Sequence, residues 1–157
     1  MRRKIFLVRH GESADRQHSQ TDFDRVLTEQ GRKSIQQLGK FFKQQGFVVD
    51  SFISSSAQRT KETAGLIAKE IGYSSDLMVY EASLYNGSEA DYWNMIHQSR
   101  GTLILVGHNP SISSIIGKIA GDYSISLLPG QCASLEFDNA EKSSPGAQLI
   151  PLYGPFH

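Results

Sequence analysis

The feature that most constrains this chain is a pair of short, unbroken apolar runs that each lead into a histidine. Ile5-Phe6-Leu7-Val8 is followed by Arg9-His10-Gly11, and Leu103-Ile104-Leu105-Val106 by Gly107-His108-Asn109-Pro110. Apolar runs of this length without polar alternation suit strands covered on both faces, which is the habit of parallel sheets flanked by helices. The segments between them read as helices alternating with further strands. Thr28 is an N-cap for a helix carrying Ile35, Leu38, Phe41 and Phe42, and Gly46 stops it. Phe47-Val48-Val49 with Phe52-Ile53 forms the next strand region. Ser54-Ser55-Ser56 then caps a helix from near Ala57, with Ala64, Ile67, Ala68 and Ile71 on its buried face and Gly72 at its end. Leu77 to Tyr80 predicts a short strand and Glu89 to Gln98 a helix. Ser111 caps a last helix, with Ile112, Ile115, Ile116 and Ile119 inward and Gly121 closing it.

Strand–helix alternation predicts an α/β fold, a three-layer αβα sandwich around a mostly parallel central sheet. The end of the chain differs. Ala133 to Phe137 and Gln148 to Leu152 read as a hairpin that extends the sheet, joined by a polar turn from Asp138 to Gly146. A length of 157 residues suits one domain, 1–157.

Composition narrows the partners. Lys+Arg and Asp+Glu are equal at 16 each, so no global field favours nucleic acid or an anionic membrane. An anionic ligand therefore needs a local cluster of cations. The lone Cys132 cannot form an internal disulfide and reads as a small core residue. The run 5–8 is too short for a signal segment, and no stretch is long and apolar enough to span a bilayer. The expectation is a cytoplasmic protein. The five histidines show no HxxxH or His-Cys spacing, so neither a metal nor another cofactor is expected.

In open α/β sheets, ligands sit beyond the carboxyl ends of the strands. That edge would collect Arg9, His10 and His108, with Arg59 from the first turn of the helix after Ile53. Arginines and histidines gathered in one crevice call for an anion, and a phosphoryl group matches the planar donor fork of arginine. A neutral imidazole is a competent nucleophile near pH 7. His10 is the candidate phospho-acceptor, and Arg9, Arg59 and His108 would stabilise the phosphoryl oxygens. Gly11 would let the backbone approach closely, and the helix start near Ala57 would add N–H donors.

Arg9-His10-Gly11-Glu12 resembles the signature of the histidine phosphatase superfamily, also called phosphoglycerate mutase-like. Ser55-Ser56-Ala57-Gln58-Arg59-Thr60-Lys61-Glu62-Thr63-Ala64 resembles its second motif and Gly107-His108-Asn109-Pro110 its third. The resemblance implies a phosphate pocket of Arg9, Arg59 and His108 around the phospho-acceptor His10, with the Asn109 backbone N–H as a further donor. Asp22-Phe23-Asp24-Arg25-Val26-Leu27-Thr28-Glu29-Gln30-Gly31 is similar to the D-x-x-R-P-L-T-x-x-G segment of the bacterial phosphohistidine phosphatase (SixA-type) branch, with Val26 in place of proline. Gly130-Gln131-Cys132-Ala133-Ser134-Leu135 resembles that branch's late glycine-to-strand segment.

One departure bears on the substrate. Mutases and phosphomonoesterases of the superfamily place a catalytic glutamate in an L-x-E context, where this chain reads Leu84-Tyr85-Asn86-Gly87. An alcohol leaving group needs a general acid, whereas imidazole leaves far more readily. The resemblance and the missing acid together imply a metal-independent phosphatase acting on a phosphohistidine protein, as in a two-component relay or a sugar phosphotransferase system. The alternatives are a small-molecule phosphomonoesterase and a non-catalytic phosphate-binding relative. Glu12 and Glu81 are the candidate proton donors, Glu12 with loop orientation or an arginine pairing as its other readings. Arg25 either contacts the phosphorylated partner or pairs with a neighbouring carboxylate. Asp15, His18 and Asp22, in the long polar loop 12–25, read as solvated, and His97 and His157 as incidental. Phe41, Phe42 and Trp93 read as packing residues.

Overall fold

The structure, a computed structural model, describes residues 2–138 and 148–156. Its centre is β1 (Arg2–Arg9), flanked by the parallel strand β4 (Leu103–Gly107) and the antiparallel strand β5 (Cys132–Asp138). Beyond β4 lie β2 (Ser51–Ser55) and β3 (Val79–Glu81), both parallel to it. Beyond β5 lies the antiparallel β6 (Gln148–Tyr153), giving the sheet order β3-β2-β4-β1-β5-β6. This is the mostly parallel sheet with a C-terminal extension that the strand pattern predicts. The turn assigned to Asp138–Gly146 falls, apart from Asp138, outside the described residues, as does His157.

The unbroken apolar runs are explained by two cores, one on each face of the sheet. Side chains alternate along a strand, so odd and even positions of β1 face opposite layers. Ile5 and Leu7 join Leu103 and Leu105 on one face. There they meet Tyr92 and Ile96 of α3 (Glu89–Gln98) and Ile112, Ile115 and Ile116 of α4 (Ser111–Ala120). Phe6 and Val8 join Ile104 and Val106 on the other. That layer is closed by Ile35, Leu38 and Phe42 of α1 (Glu29–Gln45) and Ala64 and Ile67 of α2 (Gln58–Ile71). Each fully buried Leu, Ile or Phe contributes about 1.5–3 kcal/mol relative to exposure.

Helix ends follow local chemistry, with two exceptions. The Thr28 side chain accepts the Gly31 N–H at 2.9 Å, and Ser88 with Asp91 forms a capping box at the head of α3. Gly46, Gly72 and Gly121 end their helices in the left-handed conformation. No serine is the N-cap of α2, however: Ala57 is, the Ser54 hydroxyl donates to the Ser55 carbonyl, and Ser55 Oγ accepts the Ala57 N–H at 3.4 Å while facing His108. Ser111 does not cap α4 either; it is the first helical residue, after Pro110, and its hydroxyl donates to the Gly87 carbonyl.

Two strand boundaries also shift. Val48 is solvent-exposed and β2 begins only at Ser51, because Asp50 and Ser51 N–H groups bind the Thr102 carbonyl and set the register there. Ser75–Leu77 forms a 3-10 turn, so β3 starts at Val79. Trp93 packs at the margin of its core with His97 stacked on its ring, and Cys132 is fully buried.

Candidate active site

His10 follows the last residue of β1, and its backbone is held from both sides. Its N–H donates to the Gly107 carbonyl at 3.2 Å, and its carbonyl accepts the Gly130 N–H at 2.8 Å. The ring is fixed as well. Nδ1 lies 2.7 Å from the Gly11 carbonyl oxygen, and since a carbonyl only accepts, Nδ1 carries the hydrogen. The Nε2 lone pair is thereby left as the nucleophilic position. Arg59 Nε points at it from 3.4 Å, and the His108 ring centre is 5.5 Å from that of His10.

His108 occupies the equivalent place after β4. Its N–H donates to the Tyr92 hydroxyl at 3.0 Å, and its Nε2 lies 2.8 Å from Ser55 Oγ. Arg9 anchors one guanidinium nitrogen on the Leu127 carbonyl at 2.8 Å. Its buried Nε has no hydrogen-bond partner among the described residues. Arg9, His10, Arg25, Arg59, His108 and Asn109 all line one cavity of about 600 Å³, completed by Leu84 to Gly87 and Pro129. The strand-end residues predicted to converge do so.

Electrostatics keep both imidazoles neutral. Burial pushes the His10 pKa down to about 4, and Arg59, Arg9 and Arg25 add to the fall against the opposing Gly11 hydrogen bond. Burial likewise pushes His108 down to about 3, helped by His10 and the arginines. A cavity already rich in guanidinium charge cannot hold further protons until an anion arrives.

Several assignments change. Gly11 does not face the cavity: its N–H donates to Thr63 Oγ1 at 3.1 Å, and a Cβ on it would meet Ile35 Cγ1 at 2.8 Å. Its role is to let the strand end pack on α1, not to admit phosphate. Glu12 is exposed and accepts the Thr28 hydroxyl at 2.7 Å, so it orients the loop and does not line the cavity. Glu81 ends β3 and lines a separate hollow beside Tyr73 and Met95. Neither candidate donor reaches the site. Arg25 pairs with Asp22 at 3.0 Å, the carboxylate pairing that is one of its two readings, and it also lines the cavity.

Asp22 and Tyr85 are the residues that sequence reasoning missed as site components. Asp22 is not simply solvated. Its carboxylate accepts from Arg59 Nη2 at 3.1 Å, Arg25 Nη1 at 3.0 Å and the Tyr85 hydroxyl at 2.7 Å, while its carbonyl accepts from Arg59 Nη1 at 2.8 Å. The Tyr85 and Arg25 bonds hold its carboxyl far below the ordinary range. Asp22, with the opposite effect, raises the Tyr85 phenol. The available signal was the spacing of Asp22 and Arg25, three residues apart in one segment.

A positively charged cavity at the carboxyl edge of a parallel sheet, with a fixed imidazole lone pair inside it, defines an α/β protein built to handle phosphoryl groups. The chain belongs to the histidine phosphatase superfamily (branch 1), which residues 5–83 match. It is 40% identical over 86 residues to the mitochondrial serine/threonine-protein phosphatase Pgam5 of Drosophila ananassae, covering 55% of this chain and 29% of that protein. The match thus spans under a third of that relative's length. The fold is similar to SixA of Agrobacterium tumefaciens, with a TM-score of 0.84, 22% identity and 98% of each chain covered. It is similar also to the protein histidine phosphatase SixA complexed with tungstate, with a TM-score of 0.84, 16% identity and 97% of each chain covered.

Proposed function

We propose that this protein is a phosphatase that removes phosphate from phosphohistidine on a protein substrate, through a phosphorylated His10, in the cytoplasm. The observation that carries this reading is the lining of the cavity. Among the described residues it holds Arg9, Arg25, Arg59 and two histidines but no carboxylate, and the Leu84–Gly87 stretch supplies Tyr85 instead. Asp22, the carboxylate that reaches the arginines, is held ionised, and the Tyr85 hydroxyl is spent on it. Among the described residues no group there is poised to protonate an alkoxide.

His10 Nε2 attacks phosphorus in line while the bond from phosphorus to the substrate nitrogen breaks. With its other ring nitrogen protonated, the substrate imidazole leaves as a neutral molecule carrying the electron pair of the broken bond. Water then attacks the phosphorus of phospho-His10, its proton passes to the phosphate, and Nε2 recovers its lone pair. Arg9 and Arg59 stabilise the equatorial oxygens throughout.

A second reading is supported by the 40% identity to Pgam5: a phosphatase of phosphoserine or phosphothreonine proteins. Turnover of a phosphohistidine protein, a phosphothreonine peptide and sugar phosphates by the wild type, with His10→Ala as control, separates the readings. Preference for P–N over P–O substrates is the expected result. Faster hydrolysis of the esters would replace the first reading with the second or, for sugar phosphates, with a small-molecule phosphomonoesterase.

A further inference from the structure

All three guanidinium nitrogens of Arg59 are engaged within the protein. Both Nη groups bind Asp22, at 2.8 Å to its carbonyl and 3.1 Å to its carboxylate, and Nε points at His10 Nε2 from 3.4 Å. Arg25 gives Nη1 to the other Asp22 oxygen, Nε to the Ala14 carbonyl and Nη2 to the Ser13 hydroxyl. One donor from each of these arginines that could grip a phosphoryl group is therefore held by an internal anion, the Asp22 carboxylate. Arg59 is nearly buried while Asp22 is half-exposed, so the carboxylate covers the arginine from the solvent side.

We infer that Asp22 is a built-in competitor of phosphate for Arg59 and Arg25, weakening the hold on the phosphate product so that it can leave. The inference deepens the phosphatase reading and rests on it for the identity of the anion. Charge-assisted bonds to arginine are strong and bidentate, so a pocket of unopposed arginines would retain dianionic product. Interactions that bind ground state and transition state alike do not raise kcat, and tight product binding lowers it. Asp22 offsets that grip. The opposite role is a positioning one, in which Asp22 holds Arg59 ready for phosphate; it predicts the opposite sign.

The test is calorimetric titration of inorganic phosphate into wild-type protein and Asp22→Asn, with phosphohistidine turnover measured alongside. The inference expects phosphate to bind Asp22→Asn more tightly, by on the order of tenfold, with KM and kcat both falling. Unchanged or weaker phosphate binding in the variant overturns it. Phosphate binding needs no turnover, so the result stands whichever phosphorylated residue is the substrate. A wild-type crystal structure with phosphate bound gives an independent check should Asp22→Asn not fold. Arg59 Nη groups turned from Asp22 to phosphate support the inference, and both Arg59–Asp22 bonds intact around bound phosphate overturn it.

Discussion

The Tyr92 hydroxyl accepts the backbone N–H of His108 at 3.0 Å and donates to the Leu84 carbonyl at 3.1 Å, tying two sides of the cavity together from inside the core. Burial pushes the phenol up to about 12, so it stays protonated. The ring is fully buried and packs where β4 has Gly107, at which a Cβ would collide with the Tyr92 hydroxyl. Removal of that hydroxyl leaves the buried His108 N–H unsatisfied, while the Leu84 carbonyl keeps the Gly87 N–H at 3.2 Å. Tyr92→Phe is expected to lower stability by about 1–3 kcal/mol in urea unfolding and to reduce turnover by displacing His108.

His10→Ala is expected to reduce turnover to background without loss of fold, since the ring bonds it removes are two, to the Gly11 carbonyl and from Arg59 Nε, while the backbone bonds that hold residue 10 remain. Wild-type protein quenched during turnover should carry acid-labile phosphate that the variant lacks. Residual activity in purified His10→Ala would end the nucleophile assignment.

The pH dependence has a defined sign. The nucleophile must be unprotonated, and the free-protein His10 pKa is about 4. The acid limb of kcat/KM arising from this group should therefore fall near pH 4, not near the ordinary 6.5. Stability follows the same direction. Both folded pKa values lie below the unfolded one, so the unfolded chain binds more protons between them. This contribution is fully present above about pH 6.5 and is lost as pH falls toward 4 and then 3. Urea midpoints measured from pH 7.5 downward, compared with His108→Asn, check it.

Tyr85→Phe separates a structural phenol from a general acid. The hydroxyl donates to Asp22, and its pKa is raised. Phosphohistidine turnover should change by only a few-fold, because the leaving imidazole takes no proton at the scissile nitrogen. A loss of about 10²–10⁴-fold would identify Tyr85 as the acid.

Much of the fold was legible because it rests on short-range rules. The alternation of Ile5-Leu7 with Phe6-Val8 determines two covered faces, and the glycines at 46, 72 and 121 end helices wherever a left-handed residue is required. Ser54–Ser56 and Ser111 do not serve as the N-caps their positions suggest because tertiary partners compete for the same hydroxyls: Ser55 faces His108 and Ser111 binds Gly87. Glu12 and Glu81 look equivalent to any acid near a motif until the loop and the sheet edge turn them elsewhere.

By itself the sequence determined the strands, their order of appearance and the histidines and arginines at their carboxyl ends, because strand periodicity carries each of these residues to one edge of the sheet. Tertiary structure decided what surrounds them. Asp22 meets Arg59 and Tyr85 across separations of 37 and 63 residues, and Gly11 faces Ile35 instead of the cavity. Such contacts are made by non-local packing, which no local pattern encodes. They decide which cations are free, which imidazoles stay neutral and which carboxylate stands at the site.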